Sequence, residues 1–267
     1  MMFASDLDGT LIYSNRRFGE ETLNVSVRNI EVYNGRDISF MTEKAIALLR
    51  KLSDEMMFVP VTTRTIEQYN RVSLFHEEIR PTYAITCNGG VVLKDGHIDT
   101  HWQDYIRTKI DESTATVDDV KRKIEETADA SWLKSIRVVE RFFVYLIIDP
   151  PLSAEWIKYY SQWAAAHGWA FSVQGRKVYF IPTFINKWDA VNYVAKKEGK
   201  QTVYTAGDSN LDVCLIEQAA FGLIPRHGEA AAKFGHLGLT QKTGILASEE
   251  IIEAILSKRL QLTPGIR

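Results

Sequence analysis

Cysteine is scarce in this chain of 267 residues: Cys87 and Cys214 are too few for a disulfide framework, and their spacing is not that of metal ligands. Both lie in apolar surroundings, which points to buried free thiols in a reducing cytoplasm. No apolar run approaches the roughly 20 residues of a membrane-spanning helix, so no membrane partner is expected. The N-terminus lacks a basic segment followed by a hydrophobic run and a cleavage site, which argues against a signal peptide. Charge of one sign is lacking too. A net charge of −2 gives no general basic surface, so nucleic acid is not expected as a partner. What remains is an ordinary composition, 45% hydrophobic and 25% charged, with enough chain for one large domain or two modest ones.

The informative stretch is the start, Phe3-Ala4-Ser5-Asp6-Leu7-Asp8-Gly9-Thr10-Leu11. A short apolar run ends in two carboxylates one residue apart, followed by a glycine that permits a sharp turn. If positions 6 and 8 are extended they share a face, and two like charges there repel unless a cation or a proton intervenes. A strand running into an Asp-Gly turn is the plainer reading of the same residues.

Downstream, strands alternate with helices. Residues 13–41 form a long excursion in which Asn34-Gly35 joins two extended segments, the signature of a hairpin. This β-flap either covers the paired acids or is a surface excursion. Thr42 is placed to cap a helix carrying Ala45, Ile46, Leu49 and Leu52. The strand Met57–Thr62 follows, with Pro60 an awkward interior residue. Thr65-x-x-Gln68 has the form of a capping box opening a helix through Leu74. A strand over 83–87 ends at Asn88-Gly89-Gly90. Residues 91–101 read as a hairpin about Asp95-Gly96. A helix over 116–129, strands over 136–140 and 142–148, a break at Pro150-Pro151, a helix over 153–167 and strands over 170–174 and 177–181 then make an antiparallel α+β module. The stripe Trp156, Tyr159, Tyr160 and Trp163 belongs to its core. Alternation returns with a helix opened by Asn186-Lys187, the strand Thr202–Ala206, a helix to Ala219, the strand Phe221–Ile224 and a terminal helix over 248–260. The fold class is therefore α/β: a Rossmann-like core with a parallel sheet over 1–90 and 183–267, split by a small α+β domain over 91–182.

Polar clusters sit where the strands end: Asp6/Asp8, Thr62, Lys187 and Asp208/Asp212. A strand threonine and a Ser209-x-x-Asp212 capping box would explain some of them. Lys187 resists such an explanation, because a cation at a helix N-terminus opposes the macrodipole unless an anion is near. Together they suit phosphoryl transfer. Carboxylates from two strand ends can hold Mg²⁺, one carboxylate can attack phosphorus, a second can move protons, and a hydroxyl and an ammonium can stabilise the phosphoryl oxygens. The strands ending at Asp6 and Asp208 must then be neighbours.

Asp6-Leu7-Asp8-Gly9-Thr10 resembles motif I of the haloacid dehalogenase-like (HAD) superfamily of phosphatases. Thr62, Lys187 and Gly207-Asp208-Ser209-Asn210-Leu211-Asp212 are similar to its motifs II, III and IV, in order. The resemblance implies that Asp6 is the nucleophile, Asp8 the general acid/base, and that Thr62 and Lys187 bind and neutralise the phosphoryl group. It implies Mg²⁺ on Asp6, the Asp8 backbone carbonyl and Asp208, with Asp212 nearby. An insertion between motifs II and III resembles the C2 cap, in its smaller C2B form, of sucrose-phosphate and trehalose-phosphate phosphatases. Thr63, Arg64 and Asn88 become candidate substrate contacts; Arg36, Trp102 and Arg176 are weaker ones. Thr62-Thr63-Arg64 departs from the Thr-Gly-Arg of Cof-type relatives. Ser209 and Leu211 depart from their Gly-Asp-Gly-x-Asn-Asp run, which leaves the third metal ligand open. The flap and Phe58–Thr65 resemble HAD proteins encoded with tellurium-resistance-type stress genes. The expected activity is a Mg²⁺-dependent phosphatase of a small phosphorylated metabolite, with a sugar phosphate as the candidate type and a phosphosugar mutase or a non-catalytic phospho-ligand binding protein as alternatives.

Overall fold

The structure, a computed structural model, describes residues 1–19, 25–127, 131–149 and 151–262. Part of the expected flap (20–24), the end of the helix expected over 116–129 and Pro150 lie outside the described residues. The chain divides into two compact units, Met1–Ile98 with Lys187–Arg267, and Asp99–Asn186.

The first unit opens with β1 (Met2–Ser5), β2 (Val27–Tyr33), β3 (Arg36–Thr42), α1 (Glu43–Glu55) and β4 (Met57–Pro60). It continues with α2 (Ile66–Tyr69), α3 (Leu74–Glu77), β5 (Tyr83–Thr86), β6 (Val91–Lys94) and β7 (His97–Ile98). The second unit holds α4 (Thr100–Asp111), α5 (Val117–Glu125), β8 (Leu133–Val139), β9 (Phe143–Ile148), α6 (Ala154–Ala166), β10 (Trp169–Gln174) and β11 (Lys177–Pro182). The first unit then resumes with α7 (Lys187–Lys197), β12 (Val203–Ala206), α8 (Val213–Gln218), β13 (Phe221–Leu223), α9 (Ala231–Phe234) and α10 (Leu246–Leu262). Among the described residues no helix is long and apolar enough to cross a membrane.

The first unit is built on a parallel sheet in the order β13-β12-β1-β4. Every residue of β1 is buried, as a central strand with helices on both faces requires. Ser5 is in register with Ala206 on one side and Pro60 on the other, so the strands ending at Asp6 and Asp208 are neighbours. β5 joins this sheet only through a parallel bridge between Val61 and Ile85, and otherwise pairs antiparallel with β6. Pro60 accounts for the gap. Val61 donates its N–H to Ser5 and Thr62 donates to Ile85, so position 60 should also donate toward β5, where proline has no N–H to give.

The flap is the antiparallel pair β2–β3, turned by Asn34 and Gly35, both at positive φ. The helix expected from Thr65 through Leu74 is interrupted. The Thr65/Gln68 capping box is present, but α2 stops at Tyr69. Val72 instead bridges to Glu31, and Ser73 N–H donates to Ile30 of the flap, so the backbone is committed to β2 rather than to a continuing helix. Helix α4 goes unread in the sequence because only Trp102 and Ile106 of its residues are buried, too thin an apolar stripe for periodicity to show.

In the second unit the sheet order is β10-β11-β9-β8, all antiparallel. Its core gathers Val120, Leu146, Tyr160, Trp169, Val178 and Phe180, with Trp156 and Trp163 packed against it. Tyr159 leaves the expected aromatic stripe and is 47% exposed.

Thr42 is fully buried, accepts from Ala45 N–H (2.9 Å) to cap α1, and donates to Glu249 of α10 (2.7 Å). Thr42→Val removes a cap and leaves a buried carboxylate oxygen short of a donor. The expected cost is about 2 kcal/mol, read as a lower urea midpoint; an unchanged midpoint would mean that this joint contributes nothing.

Candidate active site

The site forms where β1 and β12 stop. Asp6 follows β1 directly, and its N–H donates to Ala206 at the end of β12 (2.9 Å). The turn that follows needs Gly9, which has φ +90°. A Cβ there would fall 2.4 Å from Asp208 Oδ2, so the glycine permits the two loops to close on each other. Gly207 is constrained in the same way: a Cβ would meet the Asp212 side chain at 2.2 Å.

Asp6, Asp208 and Asp212 each place a carboxylate oxygen within 4.8 Å of the others. Lys187, the first residue of α7 and only 1% exposed, lies among them. Its Nζ donates to Asp6 Oδ1 (2.6 Å) and Asp212 Oδ1 (2.5 Å). Two anions thus sit beside the cation that opposes the helix dipole. Thr10 Oγ1 donates to Asp6 Oδ2 (3.1 Å). Ser209 donates through both N–H and Oγ to Asp212 Oδ2, closing a capping box.

The charge balance is incomplete. Three carboxylates face one buried ammonium; among the described residues the other cation beside them is the exposed Arg17, its Nη1 3.6 Å from Asp208 Oδ2. Burial, with Asp212 and Asp8 adding to it against the pull of Lys187, pushes Asp6 up to about 7. Burial and the neighbouring Asp6 and Asp212 push Asp208 well above the ordinary carboxylate range. Burial works against the charge of Lys187, but Asp212 and Asp6 more than reverse that and raise it. An all-oxygen donor set with surplus buried negative charge fits a hard divalent cation.

Asp8 stands outside this group, with its side chain 51% exposed. Arg64 holds it side-on: Nε donates to Asp8 Oδ2 (2.7 Å) and Nη2 to Oδ1 (2.8 Å). Thr62 is buried after β4, and its Oγ1 accepts from Arg64 N–H (3.1 Å). Thr63 is half-buried beside it. Asn88 is buried at φ +59° and donates its backbone N–H to Thr62 O (2.9 Å). Arg36 is exposed at the flap turn, Trp102 is buried in the second unit, and Arg176 is paired with Asp149.

Four residues have no prior signal in the sequence: Arg17, Glu31, Ser39 and His227. Glu31 and Ser39 hold the far side of Arg64. His227 ties the Gly9 turn down. Its Nδ1 accepts from Gly244 N–H (3.1 Å), so Nε2 carries the proton and donates to Gly9 O (2.9 Å). Burial lowers its pKa and favours that neutral form.

No family model and no curated protein matches the chain. Solved structures do. The sucrose-phosphatase from Synechocystis, determined in complex with sucrose and phosphate, is 19% identical, with 96% of this chain and 97% of that one covered and a TM-score of 0.67. A HAD/COF-like hydrolase from Plasmodium vivax is 12% identical, covering 96% and 95% at a TM-score of 0.63. A trehalose-6-phosphate phosphatase related protein is 16% identical, covering 98% and 99% at a TM-score of 0.54. At such identities the likeness is one of fold, and over nearly the whole length the fold of this chain is that of the haloacid dehalogenase-like hydrolases.

Proposed function

We propose that this chain is a Mg²⁺-dependent phosphohydrolase that acts on a small phosphorylated metabolite, a sugar phosphate, through an aspartyl-phosphate. The observation that carries the reading is Asp6: a buried carboxylate at the carboxyl end of a central strand, held by Lys187 and Thr10 and facing Asp208 from the next strand. The sucrose bound with phosphate in one neighbour, and the kinship to a trehalose-6-phosphate phosphatase in the name of another, support the choice of substrate class.

In this reading the ionised Asp6 attacks phosphorus, and the bond from phosphorus to the ester oxygen breaks. The leaving oxygen takes a proton from Asp8. Asp8 then accepts a proton from water, whose oxygen bonds to phosphorus as the bond to Asp6 breaks. Phosphate departs with Asp6 ionised and Asp8 protonated again. Lys187 and Thr62 stabilise the phosphoryl oxygens. Asp6, Asp208, Asp212 and the Asp8 carbonyl are the groups that would hold Mg²⁺, which when bound screens the phosphoryl charge from the carboxylates. The inserted unit would act as a C2-type cap.

Because burial raises Asp6 and Asp208, the ion-free native state holds protons that the unfolded chain has already lost. Its stability therefore falls as pH rises from the ordinary carboxylate range through about 7. A divalent cation competes with those protons. Mg²⁺ is thus expected to raise Tm more at about pH 8 than at about pH 5, and Asp208→Asn to remove the shift. An equal shift at both pH values would count against the site.

Purified protein with Mg²⁺ should release inorganic phosphate from members of a sugar-phosphate panel. Asp6→Asn should lower that release by about a thousandfold or more without lowering Tm. Undiminished turnover in Asp6→Asn would sink the mechanism, and an isomerised phosphosugar in place of free phosphate would identify a mutase.

A further inference from the structure

The guanidinium of Arg64 is saturated within the protein. Nε and one N–H of Nη2 bind Asp8; the other N–H of Nη2 donates to Ser39 Oγ (3.1 Å). Nη1 donates to Glu31 Oε2 (2.9 Å) and to Gln68 O (3.3 Å). These account for all five N–H groups of an arginine, so none is left over for a substrate.

Glu31 and Ser39 are flap residues, 4% and 3% exposed, and face each other across β2 and β3. Ser39 Oγ also donates to Glu31 Oε2 (2.5 Å). The hairpin loses register on both sides of this pair: Ile30 is extra between Asn29 and Glu31, and Ile38 between Ser39 and Asp37. Such bulges re-aim side chains. The backbone around Glu31 is fixed as well, by its bridge to Val72 and by Ser73 N–H donating to Ile30 O (2.9 Å). A buried ion pair adds little net stability, because desolvation offsets most of the attraction. What it does supply is orientation, and here the oriented group is a fork gripping both oxygens of Asp8.

We infer that Glu31 and Ser39 are positioning residues of the flap that act through Arg64 to aim the Asp8 carboxyl at the leaving oxygen of a phosphate monoester. The inference rests on the phosphohydrolase reading. It assigns the flap a part in protonating the leaving group. In that step Asp8, protonated on one oxygen while the other stays on Arg64, gives its proton to the ester oxygen as the phosphorus–oxygen bond breaks and the phosphoryl group passes to Asp6; the carboxylate left behind takes the two-point grip of the guanidinium. The need for this proton depends on the leaving group. An alkoxide from a sugar leaves poorly without it, whereas p-nitrophenolate leaves without help.

The test is kcat/KM, which reads steps up to departure of the leaving group, measured on a sugar phosphate and on p-nitrophenyl phosphate. Wild type is compared with Glu31→Ala, Glu31→Gln and Ser39→Ala, and Tm is recorded for each. Glu31→Ala is expected to lose about 100-fold on the sugar phosphate and to stay near wild type on p-nitrophenyl phosphate. Glu31→Gln keeps an oxygen acceptor for Arg64 and should recover most of that loss. Ser39→Ala, the gentler change should Glu31→Ala fail to fold, should show the same selectivity at smaller size. Equal losses on both substrates, or none on either, in an active wild-type background overturn the inference alone. A wild type inert toward both refutes the phosphohydrolase reading and this inference with it.

Discussion

A buried ammonium between two carboxylates ties the first unit together at its site. Lys187 enters from the start of α7, Asp6 from the end of β1 and Asp212 from the turn after β12. The three are far apart in sequence and meet nowhere else. Removing Lys187 leaves buried carboxylates without their ammonium where water does not reach, which costs several kcal/mol. The surrounding backbone is arranged to permit this meeting. Gly9 and Gly207 remove the side chains that would collide with Asp208 and Asp212, and the neutral ring of His227 fixes the Gly9 peptide from behind. The arrangement is not neutral, and its surplus negative charge fits a divalent cation.

Much of this was readable from residues alone. Apolar runs that stop at Asp6, Thr62 and Asp208 fix the direction of a parallel sheet, because polar residues gather only at the end where strands open. The Asn34-Gly35 and Asp95-Gly96 turns declare their hairpins through the need for positive φ. Lys187 is conspicuous because it is unfavourable where it stands. Other features leave no such trace. Arg17 and His227 are single side chains in loops, with no periodicity to mark them. Glu31 reads as one polar residue in an alternating strand until a bulge turns it inward. The truncation of α2 depends on hydrogen bonds to a strand some 40 residues earlier, which local propensity cannot report.

Asp8 and Asp6 look alike in the sequence and differ in every respect in the fold. One is buried, its proton affinity raised by desolvation, and bonded to an ammonium and a hydroxyl. The other is half-exposed and gripped by a guanidinium. Two residues of separation suffice because the strand ends at Ser5, so the loop turns the second acid away from the first. Environment, rather than residue type, gives the pair unequal chemistry.

The central place of β1 has a consequence for how the chain is made. Its partner β4 leaves the ribosome early, but β12 follows only after some 200 residues have been synthesised. Until then Met2, Phe3 and Ala4 have one open edge, an apolar strand ready to pair with whatever strand comes first. During the same interval Asp6 has no counter-ion, since Lys187 is also late. The nascent protein therefore carries this corner unfinished until Lys187 has closed the charge and β12 the sheet.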